Sequence, residues 1–163
     1  MSAFVGRVEP LGRLDAAYRA IGGTPANLPR ARLVLVNGEA GIGKTALLAK
    51  FSAEAAAQGA TVVWGTCWDG DQAPAWWPWT QALDALLHHH GELREGVAAE
   101  LATILPGLAT GAPLPVQADT AARIRVLDGA NSLLSQGAAK SPLVVILDDL
   151  QWADRSTVDL SAH

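Results

Sequence analysis

A chain of 163 residues, half of them hydrophobic and 17% charged, can bury one sizeable core and is too apolar to stay disordered. Its net charge of −4 argues against a broad nucleic-acid-binding surface, and a single cysteine, Cys67, excludes an internal disulfide and suits a reducing compartment. The N-terminus lacks the apolar core of a signal peptide, and no apolar run approaches a membrane span. The expectation is a soluble, cytoplasmic protein with no membrane partner.

Phe4-Val5-Gly6-Arg7 opens the chain and leads into a helix with Pro10 near its first turn, on which Leu11, Leu14, Tyr18 and Ile21 share one face. Gly22 to Arg30 carries two glycines and two prolines and reads as a surface connection. Arg32-Leu33-Val34-Leu35-Val36-Asn37 is a short apolar run that predicts a buried strand.

Gly38-Glu39-Ala40-Gly41-Ile42-Gly43-Lys44-Thr45 follows it and fits G-x-x-x-x-G-K-[ST] at every defined position. Ala46, Leu47, Leu48, Phe51, Ala55 and Ala56 then recur at helical spacing until Gly59. Strand, glycine-rich turn and helix together make a phosphate cradle. The glycines let backbone N–H groups turn inward, and the helix N-terminus adds partial positive charge. Lys44 is placed to reach the β- and γ-phosphates and the Thr45 hydroxyl to hold Mg²⁺, with Gly38 to Ala46 lining the nucleotide. A chance match is the competing reading, and the flanking strand and helix patterns disfavour it.

Thr61 to Thr66 reads as a second strand, after which Cys67 to Trp79 holds four further tryptophans beyond Trp64. A stacking platform is one reading of these rings. A loop pinned to the core is preferred, because no basic residues interleave with them. Asp69 and Asp71 lack the His or Cys neighbours of a metal site. Trp79, Leu83, Leu86 and Leu87 predict a helix running into His88-His89-His90, three adjacent positions that diverge around a helix and read as its solvated end. Leu93, Val97, Leu101, Ile104 and Leu105 predict another helix, ended by Pro106-Gly107. A loop to Gln117 leads to Asp119, the expected N-cap of a helix carrying Ile124, Leu127 and Leu134 and closed by Gly137 and Pro142.

Leu143-Val144-Val145-Ile146-Leu147 is a continuous apolar run, expected to be a strand buried on both faces, with Asp148 and Asp149 at its C-terminal end. Open α/β sheets place ligands at that end, so the pair forms a Walker B candidate. Asp148 would steady the Mg²⁺ shell, and Asp149 would orient or deprotonate an attacking water. Asp154 or Ser156 would cap a last helix.

Together Phe4-Val5-Gly6-Arg7, Gly38–Thr45, Cys67–Trp79 and Leu147-Asp148-Asp149-Leu150-Gln151-Trp152-Ala153-Asp154 resemble the ATP-binding domain of STAND-class signalling ATPases. The likeness is to AAA-like (AAA_16) modules such as those of large ATP-binding LuxR-type transcriptional regulators, and it covers nearly the whole chain. It implies that Val5, Gly6 and Arg7 lie near the adenine. It also implies that a further strand inserts between the Walker A and Walker B strands, with helical, sensor and DNA-binding domains beyond.

The expected fold is α/β, a P-loop NTPase of three α/β/α layers with a mainly parallel sheet, incomplete at its C-terminus. Residues 1–30 form a helical lead-in and 31–163 the nucleotide-binding core through Walker B. The expected function is ATP binding with Mg²⁺, and slow hydrolysis with Lys44 and Asp149 as the catalytic groups, in a regulatory switch. Direct DNA binding is not expected of this segment, and self-association belongs to the full-length relatives. A small-molecule P-loop kinase and a non-catalytic interaction fragment are the alternatives.

Overall fold

The β-branched run Thr61–Thr66 forms strand β1 and Leu143–Asp148 forms β2. They pair in parallel, Val63 opposite Val145 and Thr66 opposite Asp148. A parallel pair needs a crossover. Here the connection carries α3 (Trp77–His89), a 3₁₀ turn (Gly91–Gly96), α4 (Ala99–Ala102) and α5 (Thr120–Lys140). Before β1 come α1 (Val8–Gly22) and α2 (Lys44–Ala57), and after β2 come a short 3₁₀ turn (Leu150–Trp152) and α6 (Arg155–Ala162). This computed structural model describes residues 8–22, 31–70, 74–105, 108 and 120–162.

Strand alternation distributes the apolar side chains to two cores. Val63, Leu143, Val145 and Leu147 meet the side chains of α3, α4, α5 and α6, where Leu83, Leu86, Leu87, Val126 and Ala130 have no exposed surface. Val62 and Val144 face the other way, onto Leu14 of α1 and Leu47, Phe51 and Ala55 of α2. Tyr18 meets Phe51 edge-on with ring centres 6.2 Å apart, which ties the lead-in helix to α2. Among the described residues the sheet is two strands wide, narrower than the sheet expected.

Several expectations are corrected. Arg32 to Asn37 forms no strand ladder, and Leu33 and Leu35 are 73% and 72% exposed. A strand needs a hydrogen-bonded neighbour, and no described residue lies beside this segment in a ladder. For the same reason β2 is not buried on both faces. Leu143, Val144, Val145 and Leu147 are only partly buried, while Ile146 and Asp148 are buried. The single helix expected over Leu93 to Leu105 is instead the 3₁₀ turn and the four-residue α4, separated where Val97 adopts an extended conformation after Gly96. Leu93, Leu101 and Leu105 are buried all the same. On α5 the buried face is Val126, Ala130 and Leu133, while Ile124 is half exposed. Gly137 lies inside that helix, against the Leu86 side chain, rather than ending it. Pro106, Gly107 and Asp119 lie outside the described residues.

The tryptophan-rich stretch divides. Trp76 and Trp79 are buried, and the Trp79 indole N–H donates to the Thr157 carbonyl at 3.1 Å, pinning α3 to α6. Trp68 is 61% exposed, so it takes no part in that anchor. Asp154, as expected, caps α6, accepting from the Ser156 and Thr157 N–H groups at 3.1 Å each.

Gly65 fixes how closely α3 can approach the sheet. A methyl group there would lie 1.9 Å from the Pro78 carbonyl oxygen, a backbone atom that cannot swing away. Gly65→Ala is therefore expected to lower unfolding free energy by about 3 kcal/mol or more. Gly12→Ala, in open space on α1, should raise it by about 0.5–1 kcal/mol. Urea titration of both variants checks the contrast, and a Gly65→Ala protein as stable as the parent would contradict the packing described.

Candidate functional site

Gly38 to Thr45 turns the chain into α2. Gly41 and Gly43 hold the left-handed conformations this turn needs, with φ of 72° and 88°. The Gly43 carbonyl accepts the first helical bond, from Leu47 N–H at 3.0 Å. Among the described residues no side chain caps the helix, and no acidic residue stands in its first turn, so its N-terminal N–H groups and partial positive charge remain available to an anion. Ahead of the turn, the Asn37 side-chain oxygen accepts from Gly38 N–H at 2.8 Å, a brace the motif alone does not disclose.

Lys44 folds back over its own loop. Its ammonium donates to the carbonyls of Gly38 and Glu39 at 2.9 and 3.1 Å. These are neutral acceptors, and a phosphate oxygen bearing charge would be a stronger one. The next residue makes the site's long-range bond: the Thr45 hydroxyl donates to the Asp148 carboxylate at 2.7 Å. Asp148 is buried at the end of β2, and its other oxygen accepts from Asp149 N–H at 2.9 Å.

Asp149 has left the strand. Its backbone is left-handed, with φ of 57°, and its exposed carboxylate accepts from the Gln151 carboxamide at 3.0 Å. Beneath this end of the sheet Cys67 is buried, with its N–H donating to the Asp148 carbonyl at 3.1 Å. Burial, and then the carboxylates of Asp154, Asp149 and Asp148, push its thiol above the ordinary range.

One cavity of about 970 Å³ joins these groups. At one end stand Gly43, Lys44, Thr45, Asp148 and Asp149, and it continues as a slot between Leu33 to Val36 and Leu143 to Leu147. The structure thus brings Gly38, Gly41, Gly43, Lys44, Thr45, Asp148 and Asp149 to one place. Glu39 takes part through its carbonyl, while Ala40 and Ile42 are exposed on the turn and Ala46 on α2. Val5, Gly6 and Arg7 lie outside the described residues.

The other sequence candidates lie elsewhere. His88 and His89 are exposed at the end of α3. His90 is not a solvated end. It is half-buried, with Nε2 3.2 Å from the Thr61 hydroxyl at the start of β1. Among the described residues no three His, Cys, Asp or Glu side chains gather as a metal cage. A hydroxyl and a carboxylate side by side do fit Mg²⁺, a hard ion that takes much of its shell from water and phosphate.

The model of the AAA ATPase domain (AAA_16) matches residues 3–163. The chain belongs to this family. AAA ATPase domains are nucleotide-binding domains. No curated protein and no solved structure matches the chain significantly. Among the described residues no helix is long and apolar enough to cross a membrane.

Proposed function

We propose that this AAA ATPase domain binds ATP with Mg²⁺ at the Gly38–Thr45 turn and hydrolyses it slowly, as the nucleotide switch of a cytoplasmic signalling regulator. The observation that carries this reading is the 2.7 Å bond between the Thr45 hydroxyl and the Asp148 carboxylate, beside a helix N-terminus that no described side chain caps and a lysine held, among the described residues, by neutral carbonyls. Lys44 exchanges those carbonyls for the β/γ-phosphates, and the N–H groups at the helix N-terminus bind the phosphate oxygens. Thr45 and Asp148 are the residues that would hold Mg²⁺, which when bound neutralises charge on the phosphates.

Asp149 accepts the proton of the attacking water. The water oxygen bonds to the γ-phosphorus while the bond from that phosphorus to the bridging oxygen breaks, and ADP leaves with the electron pair. Val5, Gly6 and Arg7 are assigned to the adenine side by resemblance. So is the place of the domain in a STAND-class, LuxR-type regulator, where ATP and ADP would favour different arrangements. Residues 1–30 serve as lead-in and 31–163 as the core of this unit.

Calorimetry with Mg·ATP and Mg·ADP tests the site. Lys44→Ala should weaken both by about tenfold or more, since a charge-assisted bond contributes about 1.5–3 kcal/mol. Equal affinity in the two proteins would overturn the assignment.

The slot bears on the same reading. Both walls carry apolar side chains, and β2 is paired on one side only among the described residues. We infer that a further strand completes the three-layer fold between Leu33–Val36 and β2. An extended chain that supplies such a strand should melt about 5 °C or more higher and turn over ATP faster. An extended chain with unchanged melting and turnover would contradict this placement.

A further inference from the structure

Asp149 is one of two residues other than glycine with positive φ among the described residues, at φ 57° and ψ 38°. Aspartate tolerates this region better than most residues, and such strain collects where geometry serves a site. Two contacts hold the conformation. Asp149 N–H donates to Asp148 Oδ1 at 2.9 Å, and the Asp149 carbonyl accepts from Trp152 N–H at 2.9 Å, closing the 3₁₀ turn. That turn places Gln151 two residues on, where its Nε2 donates to Asp149 Oδ1 at 3.0 Å. The other carboxylate oxygen, Oδ2, has no hydrogen-bond partner among the described residues. Both residues line the cavity that holds the glycine turn.

We infer that Gln151 is a positioning residue, which clamps one oxygen of Asp149 so that the other faces the water attacking the nucleotide. The inference rests on the hydrolytic reading above and adds to it a residue that acts through Asp149. The carboxamide suits the task chemically. An arginine or lysine there would form an ion pair and make the carboxylate a poorer proton acceptor, whereas a neutral donor fixes its direction without cancelling its charge. A left-handed carboxylate on an exposed turn would otherwise sample several rotamers, and water activation depends on its direction.

The test separates ground-state from transition-state binding. Mg·ADP alone and Mg·ADP with aluminium fluoride, which mimics the γ-phosphoryl group in transfer, are titrated into the parent, Gln151→Leu, Gln151→Glu, Asp149→Asn and Asp149→Asn/Gln151→Leu proteins. Gln151→Leu removes the donor at similar length, and Gln151→Glu keeps the shape but sets two carboxylates together. Both should bind Mg·ADP within about twofold of the parent, keep its melting temperature, and lose about tenfold in affinity for the fluoride complex. In the Asp149→Asn background, Gln151→Leu should cost nothing further. Unchanged fluoride affinity overturns the inference, as does an equal loss of ADP affinity, a full additional loss in the Asp149→Asn background, or a parent protein that gains nothing from fluoride. A parent that binds no Mg·ADP defeats the nucleotide reading itself, and the inference falls with it.

Discussion

The hydrogen bond from Thr45 to Asp148 joins two segments 103 residues apart, and the geometry of the site depends on it. Thr45 sits on the first turn of α2, whose direction is set by Leu47, Phe51 and Ala55 packing against α1 and one face of the sheet. Asp148 ends β2, whose register is set by β1 and by the crossover core on the opposite face. Each partner is therefore placed by a different hydrophobic core. The two-stranded sheet between the cores is what brings them within 2.7 Å.

Backbone chemistry decides which apolar runs become strands. Val62, Val63, Val144 and Val145 find ladder partners in each other, and Leu33 to Val36 find none among the described residues. All are similar in composition. The difference lies in whether a neighbour supplies the N–H and C=O groups, since an unpaired group withdrawn from water costs about 1–3 kcal/mol.

The local site was the most legible part of the sequence, because its signals are short-range. Gly41 and Gly43 are needed for their backbone conformation, and Lys44 and Thr45 follow at fixed spacing on the first turn of a helix. Asp148 was legible through the apolar run that precedes it. Gln151 was not singled out, because a glutamine two residues past a carboxylate has no distinctive pattern until the left-handed Asp149 and the 3₁₀ turn bring the side chains together. Helix faces were read less well. On α5, Leu127 and Leu134 do pack against the core, partly buried, but Ile124 is half exposed, and the packing partners make Val126, Ala130 and Leu133 the fully buried face. His90 shows the same limit, since its bond to Thr61 is a tertiary contact across 29 residues.

The central claim is that Thr45 and Asp148 share one ion beside the phosphate loop. Mn²⁺ can replace Mg²⁺ at such oxygen ligands, and its unpaired electrons broaden nearby nuclear signals. Adding Mn·ADP to isotope-labelled protein should broaden the amide signals of Gly43, Lys44, Thr45 and Asp148 together, and leave those of His88 and His89, at the end of α3 toward the start of β1, sharp. Broadening centred on that helix, or on the phosphate loop without Asp148, would contradict the account.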